Sequence, residues 1–507
     1  MTHLSDERSI MRYIVTSQEM KEFDSYTIEQ IGIPSLLLME RAAMEMTAVL
    51  MRRISPGTKI IVFAGTGNNG GDALAVGRLL SQKGAKVDFY MPGERSKTTL
   101  ETRKQLKILE NSGFSIHGNL ENTEYDIVID GLFGIGLKRN IEGVYLQAVA
   151  EINELKEEGA FVAAVDIPSG ISADTGEVMG AAVNADLTVS FGYAKAGHYL
   201  YPGRNYTGEL LVRDIGLSKD ALRHQTPSCF TFSKKEIAEL LPERNPAGNK
   251  GTFGKVLVFA GSVNMCGAAL LCAKGVLRAG AGMVKIISPE ENRVILQTAL
   301  PEAMLYTYGK RPDVKALKET VDWADVLICG PGIGKSERAA SLLLQLLSRK
   351  DKFVVLDADA LNLISERREL KEAVLQYEKG HIIMTPHPGE FVRLSGMSME
   401  EYLSDRKNAL KNLAEEYGCV IVGKDAVTMV AAADYEMIYM NVTGNDGMAT
   451  AGSGDVLAGV IGGLWVQRIA AFSAACTGVL IHGAAGDMAA EKKGRYGMTA
   501  SDIVEEL

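Results

Sequence analysis

The feature that most constrains this chain is a rhythm. Short runs of β-branched and aliphatic residues alternate with longer stretches of helical spacing, and the runs end in loops of glycine and acid. A first series covers 59–64, 86–90, 126–130, 161–166 and 187–191. Strands separated by helices predict βαβ units and a parallel sheet. The carboxyl ends of parallel strands share one edge, and that edge is where ligands bind. The rhythm stops between about 217 and 252, in a stretch holding Pro227, Pro242, Pro246 and Gly248. It resumes at 255–260, 283–287, 326–329, 353–357, 381–385 and 419–422. At 507 residues the chain exceeds one ordinary core. The fold class expected is therefore α/β with two domains, 1–220 and 227–507, each a mostly parallel sheet between helices. Ahead of the first strand, Ile28, Leu36, Leu37, Met39 and Met44 predict two helices broken at Gly32 and Pro34. Residues 1–12 lack pattern and are expected to be a disordered leader.

Composition narrows the function. A net charge of -9 opposes a sequence-independent grip on nucleic acid, which needs a basic surface. No apolar run approaches the roughly 18 residues of a membrane span. The start, MTHLSDERSI, carries charge where a signal peptide is apolar. The expectation is a cytoplasmic enzyme of small-molecule chemistry, with neither nucleic acid nor membrane as partner. Six scattered cysteines without a CxxC pair read as reduced core thiols.

The first glycine loop, Gly65 to Asp72, follows a strand pattern and opens a helix pattern, so bare amides and a helix N-terminus face a ligand. Residues 65–70 spell GxGxxG, the fingerprint of a dinucleotide-binding Rossmann domain. Two details oppose hydride transfer. Asn68, Asn69 and Asp72 place polar groups where that loop keeps small residues. Asp130 and Asp166 also end strands, in DIVIDGLFGIGLKR and FVAAVDIPSGI. Taken singly, Asp72 reads as a helix cap, Asp130 as a turn former and Ser169 as a cap. Together, Asp72, Asp130, Asp166 and Ser169 should meet at one edge, and acids in one cleft need a cation or a proton.

In the second series the loops are GSVNMCGAA, GPGIG, DADALN, TPHPGE, KDAVT and AGSGD. Such loops on one edge predict a large phosphorylated ligand. AGSGD opens a helix pattern whose amides suit a transferring phosphoryl group, and Asp455 stands where it can deprotonate a hydroxyl. His387 is a candidate to position substrate. Asp357, Asp359 and Glu390 are candidate magnesium contacts. The remaining histidines have no ligand spacing, and His198 is assigned to packing or loop structure.

GNNGGD, DGLFGIGL, VDIPSGI and IPSLLLMERAA together resemble the NAD(P)H-hydrate epimerase family, with a Rossmann-like fold. Ala73 replaces the glycine often found after that family's aspartate. The resemblance implies that Asn68, Asn69, Gly70, Gly71 and Asp72 bind the hydrated cofactor. It implies the same of Gly134, Ile135, Gly136, Leu137, Lys138, Arg139, Asn140 and Asp166. It also implies a potassium (K+) site at Asn69, Asp130 and Ser169, oxygen donors that suit a hard cation. Asp72 and Asp166 are the candidate catalytic acids, with acid and base undivided between them.

KGTFGKVLVFAGS, GPGIG, LDADALN, TPHPGE and GNDGMATAGSGDVLAG resemble the ADP-dependent NAD(P)H-hydrate dehydratases of the ribokinase-like superfamily. That resemblance implies that Lys424, Asp425, Ala426, Val427, Thr428 and Gly454 bind ADP, with magnesium (Mg2+). Ala268, Gly332, His387 and Asp455 would face the hydrate, with Asp455 catalytic. The implied function is metabolite repair of hydrated NADH and NADPH: epimerisation of the R and S forms, then dehydration of the S form with ADP, giving AMP and phosphate. A homo-oligomer is implied too. The rival readings are a small-molecule kinase of the same superfamily and a dinucleotide-binding or sensing module.

Overall fold

Alternation along the strand Lys59–Ala64 sends successive side chains to opposite faces, and both faces are buried. Ile60, Val62 and Ala64 join Ile127, Ile129, Ala163 and Val165 under the helices Ser35–Leu50, Asn68–Gln82 and Leu100–Asn111. Ile61, Phe63, Val128, Val162 and Ala164 face the helix Val144–Glu157 on the other side. The result is a doubly covered parallel sheet, the arrangement that apolar strands of this kind require. Its seven strands lie in the order Ile116–His117, Lys86–Tyr90, Lys59–Ala64, Ile127–Gly131, Phe161–Val165, Leu187–Phe191, Glu209–Arg213, all parallel. Of the two edge strands, Ile116–His117 has only two residues and Glu209–Arg213 is partly exposed, and neither was read from the sequence.

The computed structural model describes residues 10–118 and 124–507 and divides into two compact units, Tyr13–Cys229 and Phe230–Leu507, with residues 10–12 grouping with the second. Of the leader expected to be disordered, residues 1–9 lie outside the described residues. The expectation is corrected for 10–12: Met11 is buried and Arg12 begins the strand Arg12–Val15. This strand pairs in parallel with Ala194–Lys195, Val15 opposite Lys195. The Thr16–Glu19 capping box then starts the helix Ser17–Ser25, which carries Asp24, and such caps contribute about 1 kcal/mol. A five-residue π turn, Tyr26–Gln30, and the break at Pro34 separate it from the helix Ser35–Leu50.

In the second unit nine strands run in the order Met304–Tyr308, Met283–Pro289, Lys255–Phe259, Val326–Cys329, Phe353–Leu356, Ile382–Met384, Val420–Gly423, Met429–Ala432, Tyr435–Met440. All are parallel up to Val420–Gly423, and the last two pairings are antiparallel. Two glycine-rich helices, Cys266–Arg278 and Ser453–Trp465, pack closely on this sheet. A methyl group on Gly459 would overlap the Cys272 carbonyl, so backbone meets backbone there. That approach sets the start of Ser453–Trp465 at the carboxyl edge. All six cysteines are free and five are buried. No helix among the described residues is long and apolar enough to cross a membrane.

Candidate active sites

In the first unit the carboxyl edge opens into a cavity of about 690 Å³, within the range of small-molecule sites. Met20, Ile28, Leu38, Met39, Phe191 and Ile215 make much of its wall apolar. Asp24, Asp72 and Asp166 face into it, as do Asn68, Asn69 and the loop from Gly134 through Ile135, Gly136, Leu137 and Lys138 to Arg139. Three expected binding residues are not brought to this wall. Gly70 lies against the Gly65 backbone and Gly71 against Met39 and Thr102, so both serve close packing. Asn140 is exposed beyond the loop.

Asp166 follows directly on the strand Phe161–Val165, with φ of 64°, a conformation that costs a non-glycine residue about 1–3 kcal/mol. Its surroundings fix it. The Asp166 amide donates to Val189 O at 2.9 Å, and Phe191 N donates to Oδ1 at 3.1 Å. Lys195 Nζ reaches the same Oδ1 at 2.5 Å. His198 Nδ1 accepts from the Lys195 amide at 3.0 Å, which leaves Nε2 to donate to Asp166 O at 2.9 Å. Burial, helped by Lys195, pulls the His198 pKa down to about 3, so the ring is neutral and its tautomer set by these two bonds. His198 therefore has the structural place expected of it, with a consequence for the site: it braces Asp166.

Asp72 sits one turn inside the helix Asn68–Gln82, not at its cap. Burial, then repulsion from Asp166 and Asp24, raises its pKa well above the carboxylate range. Burial pushes Asp24 up to about 6. Asp24 belongs to no motif, and Lys195 lies in GYAKAGHYLYPGR, a stretch that resembles the epimerase family, without being singled out there. The placement of Ser17–Ser25 and of Lys195 opposite Val15 brings them here, and no local sequence signal marks Asp24.

Asp130 and Ser169 meet as expected, behind the cavity wall. Ser169 Oγ donates to Asp130 Oδ1 at 2.5 Å, and the amides of Ser169 and Leu132 donate to the same carboxylate at 2.8 and 3.2 Å. These donors are neutral, and burial pushes Asp130 up to about 6. Asn69 Oδ1 approaches Gly134, and its buried Nδ2 has no hydrogen-bond partner. Amide oxygen and nitrogen are interchangeable in such an assignment. The group is thus a buried carboxylate, a hydroxyl and an unpaired amide, a set of donors that fits a monovalent cation.

In the second unit Asp455 lies in the first turn of Ser453–Trp465, entered through Gly452 at φ 90°. Burial, then repulsion from Asp357, pushes Asp455 up to about 7. Lys424, just after the strand Val420–Gly423, pairs with Asp357 Oδ1 at 2.6 Å. A methyl on Gly454 would come within 3.3 Å of Lys424 Nζ, so this ammonium stands over the helix start. Ser453 Oγ lies 3.4 Å from Nε2 of His482, which burial lowers to about 4 and keeps neutral. Ala268 and Gly332 touch: a Cβ on Gly332 would lie 2.9 Å from the Ala268 methyl.

The Lys424 amide donates to Pro386 O at 2.9 Å, tying the loop of Lys424, Asp425, Ala426, Val427 and Thr428 to that of His387. Arg406, which sequence reasoning missed, bonds Asp425 at 3.2 Å and Val427 O at 3.1 Å and holds this loop. His387 caps the helix Pro388–Ser395, its Nδ1 accepting from Gly389 N at 3.0 Å. Burial and the nearby Lys424 lower its pKa. Of the candidate magnesium contacts, Glu390 accepts from His387 N at 2.9 Å and Asp359 from Gly334 N at 2.8 Å. No cluster of three or more metal-binding His, Cys, Asp or Glu forms among the described residues.

Residues 256–507 match the family described as NAD(P)H-hydrate dehydratase, and residues 35–197 that described as YjeF-related protein N-terminus. The chain is 37% identical over 499 residues to a bifunctional NAD(P)H-hydrate repair enzyme of Coxiella burnetii, covering 98% of this chain and 99% of that one. The enzyme of the same name from Escherichia coli is 33% identical over 501 residues, 98% of this chain and 94% of its own. A solved ribokinase-like superfamily protein from Enterococcus faecalis shares 28% identity and superposes with a TM-score of 0.50, over 55% of this chain and 93% of its own. With relatives this similar along nearly its whole length, the chain belongs to the family of bifunctional NAD(P)H-hydrate repair enzymes.

Proposed function

We propose that the first unit epimerises the hydroxylated ring carbon of hydrated NADH and NADPH. The second unit removes water from the S form with ADP, releasing AMP and phosphate. The observation that carries this reading is Asp455 on the first turn of a helix entered through glycines, with Lys424 above that turn. Amides at a helix start stabilise a phosphoryl group in transit, and a carboxylate there takes the proton of the attacking hydroxyl. Asp455 takes the hydroxyl proton of the hydrate, the β-phosphoryl group of ADP moves to that oxygen as AMP leaves, and phosphate then leaves as the neighbouring ring carbon gives up a proton and the double bond returns. Hydroxide is a poor leaving group and phosphate a good one. Lys424, Asp425, Ala426, Val427, Thr428 and Gly454 hold the nucleotide in this reading, while Ala268, Gly332 and His387 face the hydrate.

In the first unit Asp72 and Asp166 handle the protons, and Asn68, Asn69 and the 134–139 loop hold the substrate. A potassium ion held by Asn69, Asp130 and Ser169 would offset the buried Asp130 carboxylate and tie the 133–134 loop to the strand ends. Magnesium would enter with the nucleotide, because Asp359 and Glu390 already accept backbone amides. The protein is proposed to work in the cytoplasm as a homo-oligomer, with no nucleic-acid or membrane partner.

The test is one incubation with mixed hydrate epimers, ADP, magnesium and potassium, followed by absorbance of the reduced nicotinamide. Complete conversion is expected. Conversion of one epimer alone defeats the epimerase half, and a phosphorylated product accumulating from ATP would point to a kinase.

A further inference from the structure

Lys195 is fully buried and is not among the residues that wall the cavity. Its ammonium bonds Asp166 Oδ1 at 2.5 Å, Ser190 Oγ at 3.0 Å and Phe191 O at 3.2 Å. A lysine so placed needs a partner of opposite charge, and Asp166 is that partner. Oδ1 of Asp166 also accepts from the Phe191 amide and Ser190 Oγ. An oxygen taking an ammonium and two further donors suits a carboxylate, not a carboxylic acid. Asp72 and Asp24 face the same cavity from two helices. One lysine thus stands behind three acids and is committed to one of them.

We propose that Lys195 is the positioning residue that divides acid from base in the first unit. It keeps Asp166 as the carboxylate that takes the hydroxyl proton of the hydrate, and it leaves Asp72, beside Asp24, to carry the proton for the ring nitrogen. This rests on the epimerase reading above. In the forward step Asp166 accepts the O–H proton, the carbon–oxygen double bond forms, and the carbon–nitrogen bond breaks with its pair going to nitrogen. Asp72 then gives its proton to that nitrogen. After rotation about the adjoining carbon–carbon bond, the nitrogen attacks the opposite face of the carbonyl. Its proton returns to Asp72 and the oxygen recovers the proton held by Asp166. Nothing is consumed.

Burial, then the charges of Asp166 and Asp24, raises the Asp72 pKa and so favours its protonated form. The other charged groups on the wall are Lys21, Glu101, Lys138 and Arg139, and His198, behind Asp166, is neutral.

The experiment uses the full chain without ADP, so that dehydration is silent, and follows R-to-S conversion by separating the epimers across pH. ADP is then added to confirm dehydration of the S form. Lys195→Met should lower kcat about 100-fold or more, with KM within about twofold. The pH profile of its kcat should change, because the cation bonded to Asp166 Oδ1 is gone. Lys195→Arg should recover much of both. Asp24→Asn should move the alkaline limb down, since Asp72 loses a like-charged neighbour. A slower Lys195→Met with unmoved limbs, or one raised only in KM, overturns the proposal. Should that variant fail to fold, an unmoved alkaline limb in Asp24→Asn overturns it. If the wild-type chain dehydrates the S form and never converts R, the epimerase reading itself fails.

Discussion

The two units solve one electrostatic problem in parallel, and they differ in how far they take it. Each has a strand-end aspartate bonded to a lysine: Asp166 with Lys195, Asp357 with Lys424. Each has a second aspartate near the start of a glycine-rich helix, Asp72 or Asp455, whose pKa is raised by burial. In the first unit three acids share one lysine, and repulsion from Asp166 and Asp24 adds to burial in raising the Asp72 pKa. In the second, Lys424 lies over the helix start and Asp455 stays near 7. Burial and like charges favour the protonated form of a carboxyl group, and one that titrates near 7 is available as a base. In the proposed mechanism the two similar arrangements serve opposite roles.

The largest expected effects test whether the sites are separate. Asp455→Asn should cut dehydration by about 10³-fold or more and leave epimerisation intact, while Asp166→Asn should do the reverse. Both are measured by following the two epimers with and without ADP, and equal damage to both activities would break the comparison. A smaller effect sharpens it. Asp455 is protonated below about 7 and ionised above, so kcat for dehydration should rise with pH through that value. Lys424→Met removes the attraction that lowers the Asp455 pKa, so this limb should shift to higher pH. The smallest effect is structural. Gly459→Ala overlaps the Cys272 carbonyl and should destabilise the second unit by about 1–3 kcal/mol. Dehydration should then be lost at a lower temperature while epimerisation keeps its own.

The strands that carry the sites were legible because they are buried on both faces, and continuous apolar runs between helical stretches can hardly be read otherwise. Edge strands such as Glu209–Arg213, half-exposed and mixed in composition, gave no such signal. The antiparallel pair Met429–Ala432 and Tyr435–Met440 was likewise unread, since a hairpin does not share the βα rhythm. The loops after the strands were legible through glycine and acid, and the cavity wall does take Asn68, Asn69, Asp72, Asp166 and the 134–139 loop. Gly70 and Gly71 belong to the same motif but serve packing. A motif fixes spacing along the chain, whereas the helix turn decides which residues face outward.

By itself, then, the sequence determined two mostly parallel sheets, their carboxyl edges, and the acids Asp72, Asp166 and Asp455 at those edges. Tertiary structure alone decided their company. Lys195, Asp24, His198 and Arg406 arrive from elements distant in sequence. Protonation depends on burial and on charges a few ångströms away, and neither can be read from the order of residues along the chain.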